Sequence, residues 1–188
     1  GLTGTLGSGK TTIADYLTRR NFKFITLSDI VREEAKKRNL PIEREILQDL
    51  GNEMRREHGG DYWIRRAMKK VNIKENWIID GIRNVGEVNF LRSIKDFVLI
   101  GVDAPQNIRL KRIMGRKKSR TGRVYSDPDK VNEIKEVEAR DRGVNEEAYG
   151  QQVEKCIDLA DYKLNTNKPL DETLKEIGKI MKGLNFAD

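Results

Sequence analysis

"GLTGTLGSGKTT", residues 1–12, decides the fold. Gly4, Gly9, Lys10 and Thr11 fit G-x-x-x-x-G-K-[ST], the spacing of a phosphate-cradling loop between a strand and a helix. Glycines let the backbone turn tightly and approach an anion without Cβ clashes, so that successive N–H groups point inward. The helix that follows adds its positive N-terminal end. In such a loop Lys10 reaches the β/γ-phosphates and the Thr11 hydroxyl ligates Mg²⁺. Gly4, Leu6, Gly7, Ser8, Gly9, Lys10, Thr11 and Thr12 are therefore the expected triphosphate site. The order of Gly4, Gly7 and Gly9 is G-x-x-G-x-G, which rejects the dinucleotide fingerprint G-x-G-x-x-G.

Only Gly1, Leu2 and Thr3 precede the loop, and there is no initiating Met. A buried strand takes about five or six residues, so a few more are expected to lie ahead of this numbering. Beyond the loop, Ile13, Ala14 and Leu17 repeat at helical spacing. The rest of the chain alternates. Strands are expected at 22–27, 76–80, 96–103 and 161–165. Helices are expected at 29–39, 43–57, 61–71, 84–94, about 105–115, from near Pro128, and at 170–184, where Leu170, Leu174, Ile177 and Met181 share a face. Strands separated by helices imply a parallel sheet covered on both faces, with ligands at the carboxyl ends of the strands.

The composition narrows the class. The chain has 188 residues, enough for one domain with a real core. No stretch approaches the run of about twenty apolar residues that a membrane span requires, so no membrane partner is expected. One cysteine, Cys156, excludes an internal disulfide and multi-cysteine metal sites, and its apolar neighbours suggest a buried thiol. One histidine, His58, cannot build a histidine cluster. A cytoplasmic location and a monomer or small homo-oligomer fit these facts. Lys plus Arg number 37 against 30 Asp plus Glu, a formal charge of +7 that suits polyanionic small molecules, with RNA as a secondary partner. Charges alternate along helical stretches such as "EREILQDLGNEMRRE", which reads as a solvated face. The richness in lysine and glutamate also resembles thermophile usage.

Residues at the strand ends carry the remaining chemistry. "WIIDGIR" sets Asp80 at a strand end, suited to hold Mg²⁺ or its waters, with the Arg83 fork beyond it for phosphate. "TLSDIVREE" supplies Ser28, Asp29 and Arg32. Ser28 or Asp29 could cap the next helix. Asp29 is also a candidate base if the acceptor is a hydroxyl, whereas an ionised phosphate acceptor needs none. "RIMGRKKSRTGRVYSDPDK" and "EARDRG" bring Arg112, Arg116, Arg140 and Arg142 to the two sides of a basic helix–loop–helix flap. Phosphoryl transfer is mostly positioning and positive charge, which a closing basic lid supplies while excluding water. Tyr62 and Trp63, set among arginines, read as core before they read as a base-stacking platform. "NKPLD" has one residue too many for the guanine-reading N-K-x-D, and "DGIR" is no D-x-x-G, so a GTPase is not expected.

Together these motifs resemble the nucleoside-monophosphate kinase group of P-loop kinases over nearly the whole chain. The opening and the tail "ADYKLNTNKPLDETLKEI" are similar to dephospho-CoA kinases, in which the tail's strand-loop-helix, here with Asn167, closes over the ATP base. "LSDIVREE", "DGIR" and "RIMGRKKSRTGRVY" are similar to adenylate kinase, and "EILQDLGNEMRREHGGDYW" to phage-type deoxynucleoside monophosphate kinases. The chain is identified as a member of an adenylate-kinase-related, dephospho-CoA-kinase-like group.

That resemblance implies a three-layer α/β sandwich with a five-stranded parallel sheet of order 2-3-1-4-5. It implies one domain over 1–188, with an acceptor-binding helical insert at about 29–72 and a lid at about 116–142. Arg32 and Arg83 would bind the acceptor phosphate, with Ser28, Asp29, Arg140 and Arg142 beside them. Arg112 and Arg116 would bind ATP, and Thr11 and Asp80 would hold Mg²⁺. Lys10, Asp29, Arg83, Arg116 and Arg140 would be catalytic. The segment after Asp80 lacks the proline of the D-G-F-P-R pattern, and the lid is short with no zinc cysteines. The expected activity is transfer of the ATP γ-phosphate to a nucleoside or deoxynucleoside monophosphate. The alternatives are transfer to a ribose hydroxyl with Asp29 as base, and an ATPase switch that contacts RNA or protein.

Overall fold

The computed structural model describes residues 1–115 and 131–186. Its sheet contains β1 (Leu2–Thr3), β2 (Lys23–Thr26), β3 (Trp77–Ile82), β4 (Ile100–Asp103) and β5 (Tyr162–Asn165). All pairings are parallel, as the alternation of strands and helices implies, and the order is β2-β3-β1-β4-β5, as the resemblance implies. Parallel neighbours need crossovers, and helices provide them. They are α1 (Lys10–Thr18), α2 (Leu27–Lys37), α3 (Arg44–His58), α4 (Tyr62–Met68), α5 (Val85–Arg92), α6 (Gln106–Met114), α7 (Val131–Arg142), α8 (Val153–Asp158) and α9 (Leu170–Gly183).

Side chains alternate across a strand, and that alternation divides the core in two. Ile78, Ile100 and Val102 face Ile13, Leu17 and Ile177 of α1 and α9. Ile79, Ile82 and Leu99 face the other layer, where α2 to α5 and α8 contribute Ile30, Leu50, Trp63, Val88 and Cys156. Trp63 is core, as expected, and its indole N–H is satisfied by the Gly51 carbonyl at 3.0 Å. Among the described residues no helix is long and apolar enough to cross a membrane.

Four local expectations are corrected. The strand expected from residue 96 begins at Ile100, and Asp96 instead sits in the turn before it with a left-handed φ of 61°. The Leu99 N–H is then taken by the Asp161 carboxylate at 2.7 Å instead of by a strand. Thr26, not Ser28 or Asp29, caps α2, its hydroxyl accepting from Ser28 N. On α9 Leu170 is 60% exposed at the first turn, and Thr173 takes a buried position one turn later. Finally, the charged run on α3 is not wholly a solvated face, since Gln48, Asn52 and Arg55 are buried.

The register sets the site. Leu2 lies opposite Asp80 on one side and Ile100 on the other, while Thr26 pairs with Asp80. The carboxyl ends of β1, β2 and β3 thus converge where the glycine-rich loop begins.

Candidate active site

The loop between β1 and α1 is shaped by its glycines. Gly4 has φ 148°, and a Cβ there would lie 2.1 Å from the Val102 carbonyl oxygen, so only glycine passes β4 this closely. Gly9 is left-handed at φ 100° and forms the N-cap of α1. Leu6, Gly7, Ser8, Gly9, Lys10 and Thr11 line one wall of a pocket at the strand ends; Gly4 and Thr12 flank it. The Lys10 ammonium donates to the Gly4 carbonyl at 2.5 Å and to the Thr5 carbonyl at 2.9 Å. Burial pushes its pKa down to about 8, against the opposing pull of Asp80 and with Arg83 adding to the depression.

Two side chains brace the loop from behind. Thr166, just past β5, donates through Oγ1 to the Ser8 carbonyl at 2.8 Å. Arg112 of α6 donates to Thr166 Oγ1 at 2.8 Å, to Thr166 O at 2.7 Å and to Gly7 O at 3.2 Å. Arg112 therefore touches the back of the phosphate loop, whereas the resemblance implies a contact with ATP itself. Asn167 is exposed, and its backbone N–H turns back to Asn165. Thr166, between Asn165 and Asn167, makes the contact with the loop.

The opposite wall comes from α2, α3, α7 and the turn after β3. Ser28 and Arg32 line it, but Asp29 does not; it is exposed and held to Arg32 at 2.6 Å. Asp80 is 6% exposed on the floor, and its Oδ1 has no hydrogen-bond partner among the described residues. Arg83 reaches the wall through a turn built by Glu87. The two Glu87 oxygens divide the work, Oε2 accepting from Arg83 N at 2.7 Å and Asn84 N at 3.1 Å, Oε1 accepting from Arg55 at 2.9 and 3.1 Å. Asn84 completes a capping box on α5.

Residues that the sequence did not single out complete this wall. Arg44 and Gln48 come from α3, and Asp141 from α7. Asp141 is fully buried and accepts from Arg44, from Gln48 Nε2 at 2.8 Å and, as an ion pair, meets Arg83 at 3.1 Å. Burial opposes its ionisation, but Arg44 and Arg83 outweigh that and hold its pKa below the usual carboxylate range.

Its sequence neighbours point elsewhere. Arg140 is engaged by Glu146 at 2.6 Å and Asp49 at 2.7 Å, and Arg142 by Asp103, Glu138 and Glu154 at 3.4–3.5 Å, so neither lines the pocket. Arg116 and most of the expected lid lie outside the described residues.

The site suits a cation carried in by a ligand. Among the described residues no group of three or more His, Cys, Asp or Glu side chains could hold a metal alone. Thr11 and the underpartnered Asp80 offer what Mg²⁺ takes from a protein when phosphates and water supply the rest.

A family described as "AAA domain" matches residues 1–141. A "UPF0200 protein" of Methanothrix thermoacetophila is 31% identical over 98% of this chain and 96% of its own length. A "UPF0200/UPF0201 protein" of Archaeoglobus fulgidus is also 31% identical over 93% of this chain, which spans only 52% of that relative. The crystal structure of shikimate kinase from Aquifex aeolicus superposes with a TM-score of 0.51 and 21% identity, covering 97% of this chain and 95% of the kinase. At that identity the likeness concerns the fold, which is that of P-loop kinases.

Proposed function

The chain belongs to the AAA domain and UPF0200 families, and we propose that it is a Mg²⁺–ATP-dependent phosphotransferase acting on a small, phosphate-bearing, nucleotide-like acceptor. The observation that carries this reading is the pairing of two walls: a phosphate-cradling loop with Lys10 on one, and Arg32 and Arg83 on the other. ATP would lay its triphosphate along residues 4 to 12, with Lys10 at the transferring group and Arg112 supporting the loop. Thr11 and Asp80 would hold Mg²⁺, which neutralises charge on the phosphates. The helices of 29–72 would enclose the acceptor.

Two observations favour a phosphate acceptor over a hydroxyl. The wall is cationic, and Asp29, the base that a hydroxyl would call for, is exposed and tied to Arg32. An ionised phosphate needs no base; it needs positioning and charge. Monophosphates are thus the first acceptors to test, and dephospho-CoA the second. Lys10→Ala should keep its far-ultraviolet circular dichroism and lose phosphotransfer by at least about a hundredfold. Unimpaired transfer by that variant would overturn the mechanism.

A further inference from the structure

We propose that Arg44 and Arg83, bridged by the carboxylate of Asp141, form the clamp for the acceptor's phosphate, with Arg44 a binding residue and Asp141 a positioning residue. The proposal rests on the reading above that the acceptor carries a phosphate, and adds which groups grip it. The three residues arrive from α3, the turn after β3, and α7, and the sequence separation between Arg44 and Asp141 is 97. Two guanidinium groups on one wall repel each other. A buried carboxylate between them removes that repulsion and fixes both planes.

The geometry supports a permanent bridge over a carboxylate that merely fills an unused site. Asp141 is wholly buried and meets Arg44, Gln48 and Arg83. Breaking such a set to admit a ligand would strand a charge in the interior, which is strongly unfavourable. The neighbouring Arg55 has the opposite character. It also borders the pocket, but both its Nε and Nη2 rest on Glu87, so the buried pair is internally neutral.

Charge then selects the ligand. Arg44 and Arg83 less Asp141 leave one positive charge on the wall, and Arg32, paired with the exposed Asp29 at 2.6 Å, stands beside it. A phosphate monoester anion matches that surplus, and a neutral sugar does not. The planar forks also suit phosphate oxygens better than an ammonium would.

The test uses the full chain with the phosphate loop filled by saturating Mg²⁺–ADP, titrated with inorganic phosphate by calorimetry. The parent should bind phosphate saturably. Arg44→Gln and Asp141→Asn should each weaken that binding about tenfold or more, as expected for a lost hydrogen bond to a charged group. ADP affinity should stay within about twofold, which separates a positioning defect from a misfolded chain. Arg44→Lys, which keeps the charge and is the gentler change, should fall between parent and Arg44→Gln. With an active acceptor in hand, the Asp141→Asn loss should appear in the acceptor KM.

Phosphate bound as tightly or more tightly by Asp141→Asn would overturn the positioning role, because removing a competing carboxylate would then be the dominant effect. Parent-like binding by Arg44→Gln or Arg44→Lys would remove Arg44 from the clamp. Phosphate binding that follows the expected pattern, with no acceptor ever phosphorylated, would uphold the clamp and refute the phosphotransferase. Transfer to a monophosphate with an unchanged KM in Arg44→Gln would do the reverse.

Discussion

Thr166 Oγ1 donates to the carbonyl of Ser8 at 2.8 Å, joining the loop after the last strand to the loop after the first. Because Arg112 donates to the same hydroxyl, one threonine holds a cation against the back of the phosphate site. Thr166→Val keeps the shape and deletes both bonds. Stability should fall by about 1–3 kcal/mol, since the buried carbonyl and guanidinium lose a partner. Mg²⁺–ATP affinity should fall with it, by about tenfold. Calorimetry and thermal unfolding on the same sample check this, and a lowered melting temperature with unchanged affinity would make the contact purely structural.

Lys10 gives the site a pH dependence. Its pKa is depressed to about 8 by burial, so the empty site loses that proton as pH rises through about 8. A triphosphate needs the ammonium, and its binding above pH 8 must therefore take up a proton. Affinity should decline from pH 8 to 9.5, approaching about tenfold per unit, and the binding enthalpy should vary with the buffer's ionisation heat. Lys10→Met should bind weakly with no such slope. A parent affinity flat across that range contradicts the assignment.

Glu87 is the strut beneath Arg83. Glu87→Gln would leave Arg55 buried without its counter-ion and weaken the acceptors for the Arg83 and Asn84 N–H groups. Removing one partner of a buried pair costs about 3–5 kcal/mol. Chemical denaturation should show a loss of that size, while Glu57→Gln on the exposed end of α3 should be silent.

Cys156 should be inert while the protein is folded. It is fully buried on α8, and burial, aided by Glu87, pushes its thiol pKa up to about 12. A thiol reagent at pH 8 should label it only as fast as the chain unfolds, and at once in denaturant. Rapid labelling of the native protein would contradict its placement.

The fold was largely legible because its signals are local. Four glycines before Lys10 specify a loop geometry within twelve residues, and apolar runs such as "NWIID" mark strands without knowledge of their partners. The strand order came from the resemblance, and the register bears it out. The Arg44, Gln48 and Asp141 cluster was not legible. "EREILQDLGNEMRRE" carries charges at every turn, and nothing local marks Gln48 as buried or Arg44 as the mate of a carboxylate far along the chain. In "EARDRG" the arginines drew attention, yet α7 turns the aspartate between them to the pocket and both arginines to other carboxylates. Helix phase decides that, and a single sequence of alternating charge does not reveal phase.

The most direct measurement is a Mg²⁺–ATP phosphotransfer assay with labelled γ-phosphate against the common nucleoside and deoxynucleoside monophosphates, dephospho-CoA and shikimate. The expected result is label on one monophosphate as a diphosphate product, absent with Lys10→Ala. Label on dephospho-CoA or shikimate instead would contradict the phosphate acceptor, and ADP release with no acceptor labelled would contradict the phosphotransferase altogether.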